Sequence, residues 1–118
     1  MSLEFPSATL RNGTLIIRFQ EGVVSRSVQV TCVIDQTDFS DVLGIEILDF
    51  RRQISGGLLE GARSASGVRW SYDAADDALY VHVMDGRSQI QTSIIGTVGL
   101  DATDRVVLLE APVPSIGR

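Results

Sequence analysis

Leu15-Ile16-Ile17-Arg18-Phe19-Gln20-Glu21-Gly22 and Leu79-Tyr80-Val81-His82-Val83-Met84-Asp85-Gly86 share one apolar pattern, and each stretch ends in an acidic residue followed by glycine. Leu15, Ile17 and Phe19 fall on one face at period two, as do Leu79, Val81 and Val83, which is the spacing of a half-buried strand and not of a helix. Reading onward from each stretch, the same order of features recurs. Val28, Val30, Cys32 and Ile34 alternate with Ser27, Gln29 and Thr31, and their counterparts are Ile94, Gly96, Val98 and Leu100. Ile34-Asp35-Gln36-Thr37-Asp38 then matches Leu100-Asp101-Ala102-Thr103-Asp104, and both read as turns because an Asp side chain accepts hydrogen bonds from the backbone two residues on. Val42-Leu43-Gly44-Ile45-Glu46 and Val106-Val107-Leu108-Leu109-Glu110 close the pattern with a third strand each, Val42 to Leu48 and Arg105 to Ala111. A further strand is expected ahead of each set, near Leu3 to Leu10 and near Val68 to Tyr72, with Asn12-Gly13 as a hairpin signal in the first.

These features predict an all-β to β-rich α+β protein: one compact domain, 1–118, made of two repeated antiparallel β-meanders about a pseudo-twofold axis. Repeat 1 covers about 3–48, a linker 49–67, repeat 2 about 68–111 and a frayed tail 112–118. One copy of about 50 residues cannot cover its own apolar sheet face, so the copies are expected to pack face to face or to share one barrel-like sheet. In the linker, Asp49 is placed to cap a short helix carrying Phe50, Ile54 and Leu58, and Gly56-Gly57 disfavour its extension. A superposition with Leu15 on Leu79 and Asp35 on Asp101 follows from the repeat.

Composition narrows the function. The chain has 118 residues, 44% of them hydrophobic, with a formal net charge of −5. No apolar run reaches the roughly 18 residues of a membrane helix, and the first residues lack the basic and apolar regions of a signal peptide, so the expected compartment is the cytoplasm. All ten basic residues are arginine, a bias that fits a GC-rich bacterial genome, and they are scattered; neither nucleic-acid phosphates nor a membrane is an expected partner. Without lysine there is no amine for a Schiff base or a phosphate loop.

Tyr72-Asp73-Ala74-Ala75-Asp76-Asp77-Ala78-Leu79-Tyr80-Val81 resembles the Tyr-Asp-x-x-Ala-Asp-Ala-Leu-Tyr-Ile opening of a small bacterial and archaeal family, domain of unknown function twenty-two eighty-three. The family's closing Gly-Ile-Glu-Ile-Leu is present as Gly44-Ile45-Glu46-Ile47-Leu48. The chain departs from the pattern at Thr9 to Leu15, which lacks the opening motif, at the extra acid of Asp76-Asp77, and at Leu108-Leu109-Glu110-Ala111, which lacks the glycine. Counted twice, the resemblance spans nearly the whole chain as a tandem duplication. It implies no activity, substrate or cofactor.

Several residues could carry chemistry. Asp73, Asp76 and Asp77 are a candidate cation cluster, but turn chemistry accounts for them, and an EF-hand loop would need further ligands including a distal Glu. His82 is the single histidine and reads as a partly exposed sheet residue. Cys32 reads as a small buried hydrophobe. Glu46 and Glu110 recur at equivalent places and would form a catalytic acid pair if they faced each other, although period-two alternation turns them outward. Arg18 is a candidate cross-strand partner for either, and Trp70 is expected over the end of a sheet with its indole N–H on a backbone carbonyl. No catalytic, cofactor or metal residue is assigned. The favoured function is a non-enzymatic interaction or structural module; alternatives are a small-molecule-binding regulatory domain with a pocket between the copies, or an acid-base enzyme using the two glutamates. A homodimer is expected through the outward apolar positions Ile16, Tyr80 and Met84.

Overall fold

The computed structural model describes residues 5–54, 59, 62–65 and 67–115, with the backbone alone at 62 and 63. Among these residues nine strands and one helical turn follow in the order β1 (Ser7–Arg11), β2 (Thr14–Arg18), β3 (Arg26–Gln36), β4 (Val42–Ile47), α1 (Phe50–Gln53), β5 (Ala62–Ala65), β6 (Val68–Asp73), β7 (Ala78–His82), β8 (Ile90–Leu100) and β9 (Val106–Pro112). All belong to one antiparallel, nearly closed sheet in the order β1-β2-β9-β8-β3-β4-β7-β6-β5.

The centre of the sheet is the β3·β8 pair, which holds register over eleven residues from Arg26↔Leu100 to Gln36↔Ile90. Around it the two halves exchange strands. β2 pairs with β9, Leu15 opposite Ala111, and β4 pairs with β7, Ile47 opposite Leu79. Leu15 and Leu79 are 64 residues apart, as are Ile47 and Ala111, so a shift of 64 carries one pairing into the other. The same shift maps the Thr31↔Ile95 pair onto itself, and the pseudo-twofold axis therefore passes between those two residues. The acid-glycine endings have a physical reason in this exchange. A Cβ on Gly22 would lie 3.0 Å from Val107, and one on Gly86 2.6 Å from Leu43, so each loop passes tightly over a strand of the other half.

The inward face of the strands builds one core. Leu15, Ile17, Phe19, Val30, Ile34, Ile45, Ile47, Leu79, Val81, Val98, Leu100 and Leu109 are all buried in it. Val28 and Val83, expected inside, are half-buried at its margin. Phe19, just beyond β2, meets Trp70 of β6 edge to face with ring centroids 6.1 Å apart, so the two wings of the sheet curl toward each other around the core.

The turns correct one alignment. Asp101 Oδ1 accepts hydrogen bonds from the backbone N–H groups of Thr103 and Arg105 and from the Thr103 hydroxyl, and Oδ2 accepts one from Arg105 Nε. In the first half the same work falls to Thr37, whose hydroxyl oxygen accepts from the N–H groups of Phe39 and Asp41. Thr37, and not Asp35, is thus the equivalent of Asp101, and the constant shift of 64 runs through β3 and β8 as well as the turns, so Ile34 corresponds to Val98 and not to Leu100. The Arg105 backbone N–H leads the donors that hold the Asp101 carboxyl well below the usual range, outweighing burial, with the Thr103 hydroxyl and N–H and the Arg105 guanidinium adding to it.

The linker and tail also differ from expectation. The helix is a single turn, and Asp49 does not cap it; its backbone is left-handed at φ 51° and its side chain makes no capping bond. The cap comes from the β6–β7 turn, where the Asp77 carbonyl accepts from Phe50 N–H and Asp77 Oδ1 from Arg51 N–H. Tyr72 donates its hydroxyl to the same Oδ1 at 2.7 Å, and Arg51 lies over the Tyr72 ring. Phe50 and Ile54 are buried, which fixes this turn against one end of the core. The linker also holds a strand, β5, paired with β6. At the other end the tail is tied down where fraying was expected: Val113 N–H donates to the Gly13 carbonyl, and the Pro114 carbonyl accepts from buried Gln36. The expectations for Leu3, Gly56, Gly57, Leu58 and the tail past Ser115 lie outside the described residues.

Two outcomes follow for stability. Phe19→Ala removes a ring that is 2% exposed and touches both wings, and is expected to cost about 3 to 5 kcal/mol in urea unfolding. Because the Asp101 pKa is depressed on folding, its contribution is fully present above the unfolded carboxyl pKa of about 3.9 and is lost as pH falls through the folded value. Asp101→Asn should therefore lower the melting temperature at pH 7, with the gap to the parent closing toward acid pH in a melting series.

Candidate functional site

The convex face of the sheet carries the polar residues, and register brings a group of them together around Gly44. His82 stands opposite Gly44 on one side and Asp35 on the other, while Arg69 is opposite His82. Two residues along the strands, on the same face, Tyr80 pairs with Glu46. The bare Gly44 makes room for the phenol: a Cβ there would lie 2.6 Å from the Tyr80 hydroxyl and 2.7 Å from the Val81 carbonyl. Burial raises the Tyr80 pKa, and the negative charges of Asp35 and Glu46 add to it against the opposing Arg69. His82 Nε2 lies 3.0 Å from Asp85 Oδ1, and Asp35 Oδ1 accepts a long bond from the Ser88 hydroxyl.

Beside this group lies an open cleft of about 360 Å³. Thr31 and Val33 of β3 and Ser93 of β8 line it, with Glu46 and Leu48 from β4 and its exit, and Asp49 and Gln53 from the α1 turn. Gln53 explains why that wall is rigid. Its Oε1 accepts from Thr31 N–H at 2.6 Å, and its Nε2 donates to the carbonyls of Thr31 and Leu48, so one side chain continues the β3 ladder where β4 has left it. Among the described residues, neither the Glu46 nor the Asp49 carboxylate has a hydrogen-bond or ion-pair partner.

The residues singled out in the sequence are dispersed. Glu46 and Glu110 both face outward but do not meet: three strand spacings, about 14 Å, separate them sideways, and four residues, about 13 Å, along the strands. Arg18 is exposed opposite Ser7 and Leu108 and pairs with neither glutamate. Cys32 is inside, its thiol pushed up to about 11 by burial despite the opposing Gly96 backbone. Trp70 is buried as expected, yet its indole N–H has no hydrogen-bond partner among the described residues. Asp73 is occupied in its turn, accepting from the N–H groups of Ala75 and Asp76. Of the outward apolar positions, Ile16 and Tyr80 are half-buried and Met84 is exposed. The sequence reading passed over Leu48, Asp49, Gln53 and Ser93 as lining residues. Their signal is the point where the halves diverge, Leu48-Asp49-Phe50 standing where the second half has Pro112-Val113-Pro114.

Set against known proteins, the chain finds no match among family models, curated proteins or solved structures. Among the described residues no helix is long and apolar enough to cross a membrane, and no group of three or more His, Cys, Asp or Glu side chains could hold a metal ion.

The tight approach at Gly44 can be measured. Gly44→Ala places a methyl against a backbone carbonyl as well as the phenol, and is expected to destabilise the fold by about 1 to 3 kcal/mol in urea titration. Adding Tyr80→Ala should recover only part of this, because the Val81 carbonyl stays in place.

Proposed function

We propose that the protein is a non-enzymatic interaction module whose contact surface is the cleft beside α1. One observation carries this reading: at the exit of β4 two carboxylates without partners among the described residues, Glu46 and Asp49, line one opening with a rigid wall. Among the described residues neither carboxylate is taken up by the fold. That of Glu46 makes no hydrogen bond or ion pair with its cross-strand neighbours Val33 and Tyr80, and Asp77 supplies the capping that Asp49 would otherwise give. Among the described residues, the cleft draws its lining from the first half and α1 with the exception of Ser93, which favours a surface contact over a pocket enclosed between the copies. The separation of Glu46 from Glu110 weighs against their acting as a catalytic pair. The partner is a protein, and a second copy of this chain is included as the homodimer. The resemblance of residues 72–81 to a family without known activity adds no substrate to this reading.

Site-specific photo-crosslinking in the native cells tests it. A benzoylphenylalanine at Ser93 is expected to give a discrete adduct, while the same group at Gln29, its counterpart across the pseudo-twofold axis, gives none. An adduct at twice the 12.8 kDa chain mass identifies the partner as a second copy. Equal labelling from both positions, or none from position 93, would overturn the proposal.

A further inference from the structure

We infer that the cleft selects an arginine side chain presented by an extended segment of a protein partner; this rests on the reading of the cleft as a contact surface. The polar inventory of the cleft sets the chemistry. Glu46 and Asp49 contribute acceptors only, Thr31 and Ser93 contribute hydroxyls, and among the described residues no cationic side chain lines the opening. The amide of Gln53 adds no donor, since both its polar atoms are engaged with Thr31 and Leu48. An occupant must therefore bring positive charge and several N–H groups.

The walls add a second requirement. Val33 and Leu48 are aliphatic, and Leu48 is 49% exposed although it sits beside the core exit of β4. A long aliphatic stem can lie along them while its charged head reaches the carboxylates, as the stems of arginine and lysine do. The guanidinium is the better match of the two. It has five N–H donors in a fixed plane, enough to serve two carboxylates at once, and it is less strongly hydrated than an ammonium. Ile95, opposite the lining residue Thr31 in register, is 55% exposed, which leaves sheet surface for the flanking residues of a segment.

Asp49 strengthens the argument by what it does not do. Its left-handed backbone is one that aspartate tolerates, as at Asp77 and Asp104, and its side chain caps nothing. In the second half the positions of Leu48 and Asp49 are Pro112 and Val113, with no carboxylate beside Glu110. The acidic pair is thus peculiar to one side of the pseudo-twofold axis.

Titration of the labelled full-length chain with a blocked Ala-Arg-Ala peptide, followed by amide NMR shifts, tests the inference. Saturable shifts are expected at Thr31, Val33 and Ser93. Glu46→Gln and Asp49→Asn should each weaken the apparent affinity about fivefold, the loss of one charge-assisted hydrogen bond. Asparagine suits the backbone at 49, so this second variant keeps the fold. A peptide with citrulline, which keeps the shape and removes the charge, should not saturate, and one with lysine should bind more weakly than arginine. Citrulline or lysine binding as well as arginine, unchanged affinity in both variants, or no saturable shift would overturn the inference. A crosslink from position 93 combined with no peptide binding would sink this inference alone and leave the contact surface standing.

Discussion

The antiparallel pairing of β3 with β8 is the interaction on which the rest of the molecule depends. These are the two longest strands, and every other strand is attached to one of them directly or through a neighbour. β3 carries β4, which carries β7, β6 and β5; β8 carries β9, which carries β2 and β1. Each half therefore supplies the outer strands of the other half's wing. Neither half can complete a core alone, because the inward faces of β2 and β7 are covered only after the exchange. The core residues Ile17 and Val81, both 0% exposed, stand on strands whose inner neighbours belong to the opposite half.

Against this symmetric frame the chain makes one structural departure with chemical consequence. The segment after β4 turns into α1 and buries Phe50 and Ile54, while β9 ends at Pro112 and continues as Val113-Pro114. Pro114 stands where Phe50 does, and a proline has no N–H to make the bond that Phe50 donates to the Asp77 carbonyl, so the second half cannot copy the anchoring of α1. The α1 turn is held from outside itself by Asp77 and Tyr72, and from it Gln53 reaches back to β3. The β6–β7 turn, far from the cleft in sequence, thereby sets the position of the cleft wall.

Much of the fold was legible in the sequence for a simple reason. Period-two alternation is a local property, so Leu15, Ile17, Phe19, Leu79 and Val81 declared both their strands and their buried faces. Strand partners are not local. The acid-glycine endings and turns mark where strands stop, but nothing near Leu15 announces Ala111. The turn alignment went astray because it matched Asp with Asp, whereas a Thr hydroxyl at 37 and an Asp carboxylate at 101 do the same hydrogen-bonding work. The spacing of Phe50, Ile54 and Leu58 suggests a longer helix, but the chain is already extended at Ile54, and β5, Ala62–Ala65, lacks the large apolar residues that reveal a strand. Glu46 was legible as a candidate. Its neighbour in the cleft, Asp49, was assigned to capping because only the fold reveals that Asp77 does that work.

The exchange of strands also governs the order in which the protein can be made. β2 leaves the ribosome long before its partner β9, since the paired residues Leu15 and Ala111 are 96 positions apart. Until residue 112 has emerged, Leu15, Ile17 and Phe19 have no sheet neighbour on that side, and β3 lacks β8 until residue 100 is present. A nascent chain thus carries an open, apolar strand edge for most of its synthesis, the condition under which strands pair with the wrong chain. Translation speed and early chaperone contact should weigh more heavily on the yield of this protein than on that of a domain built from successive hairpins.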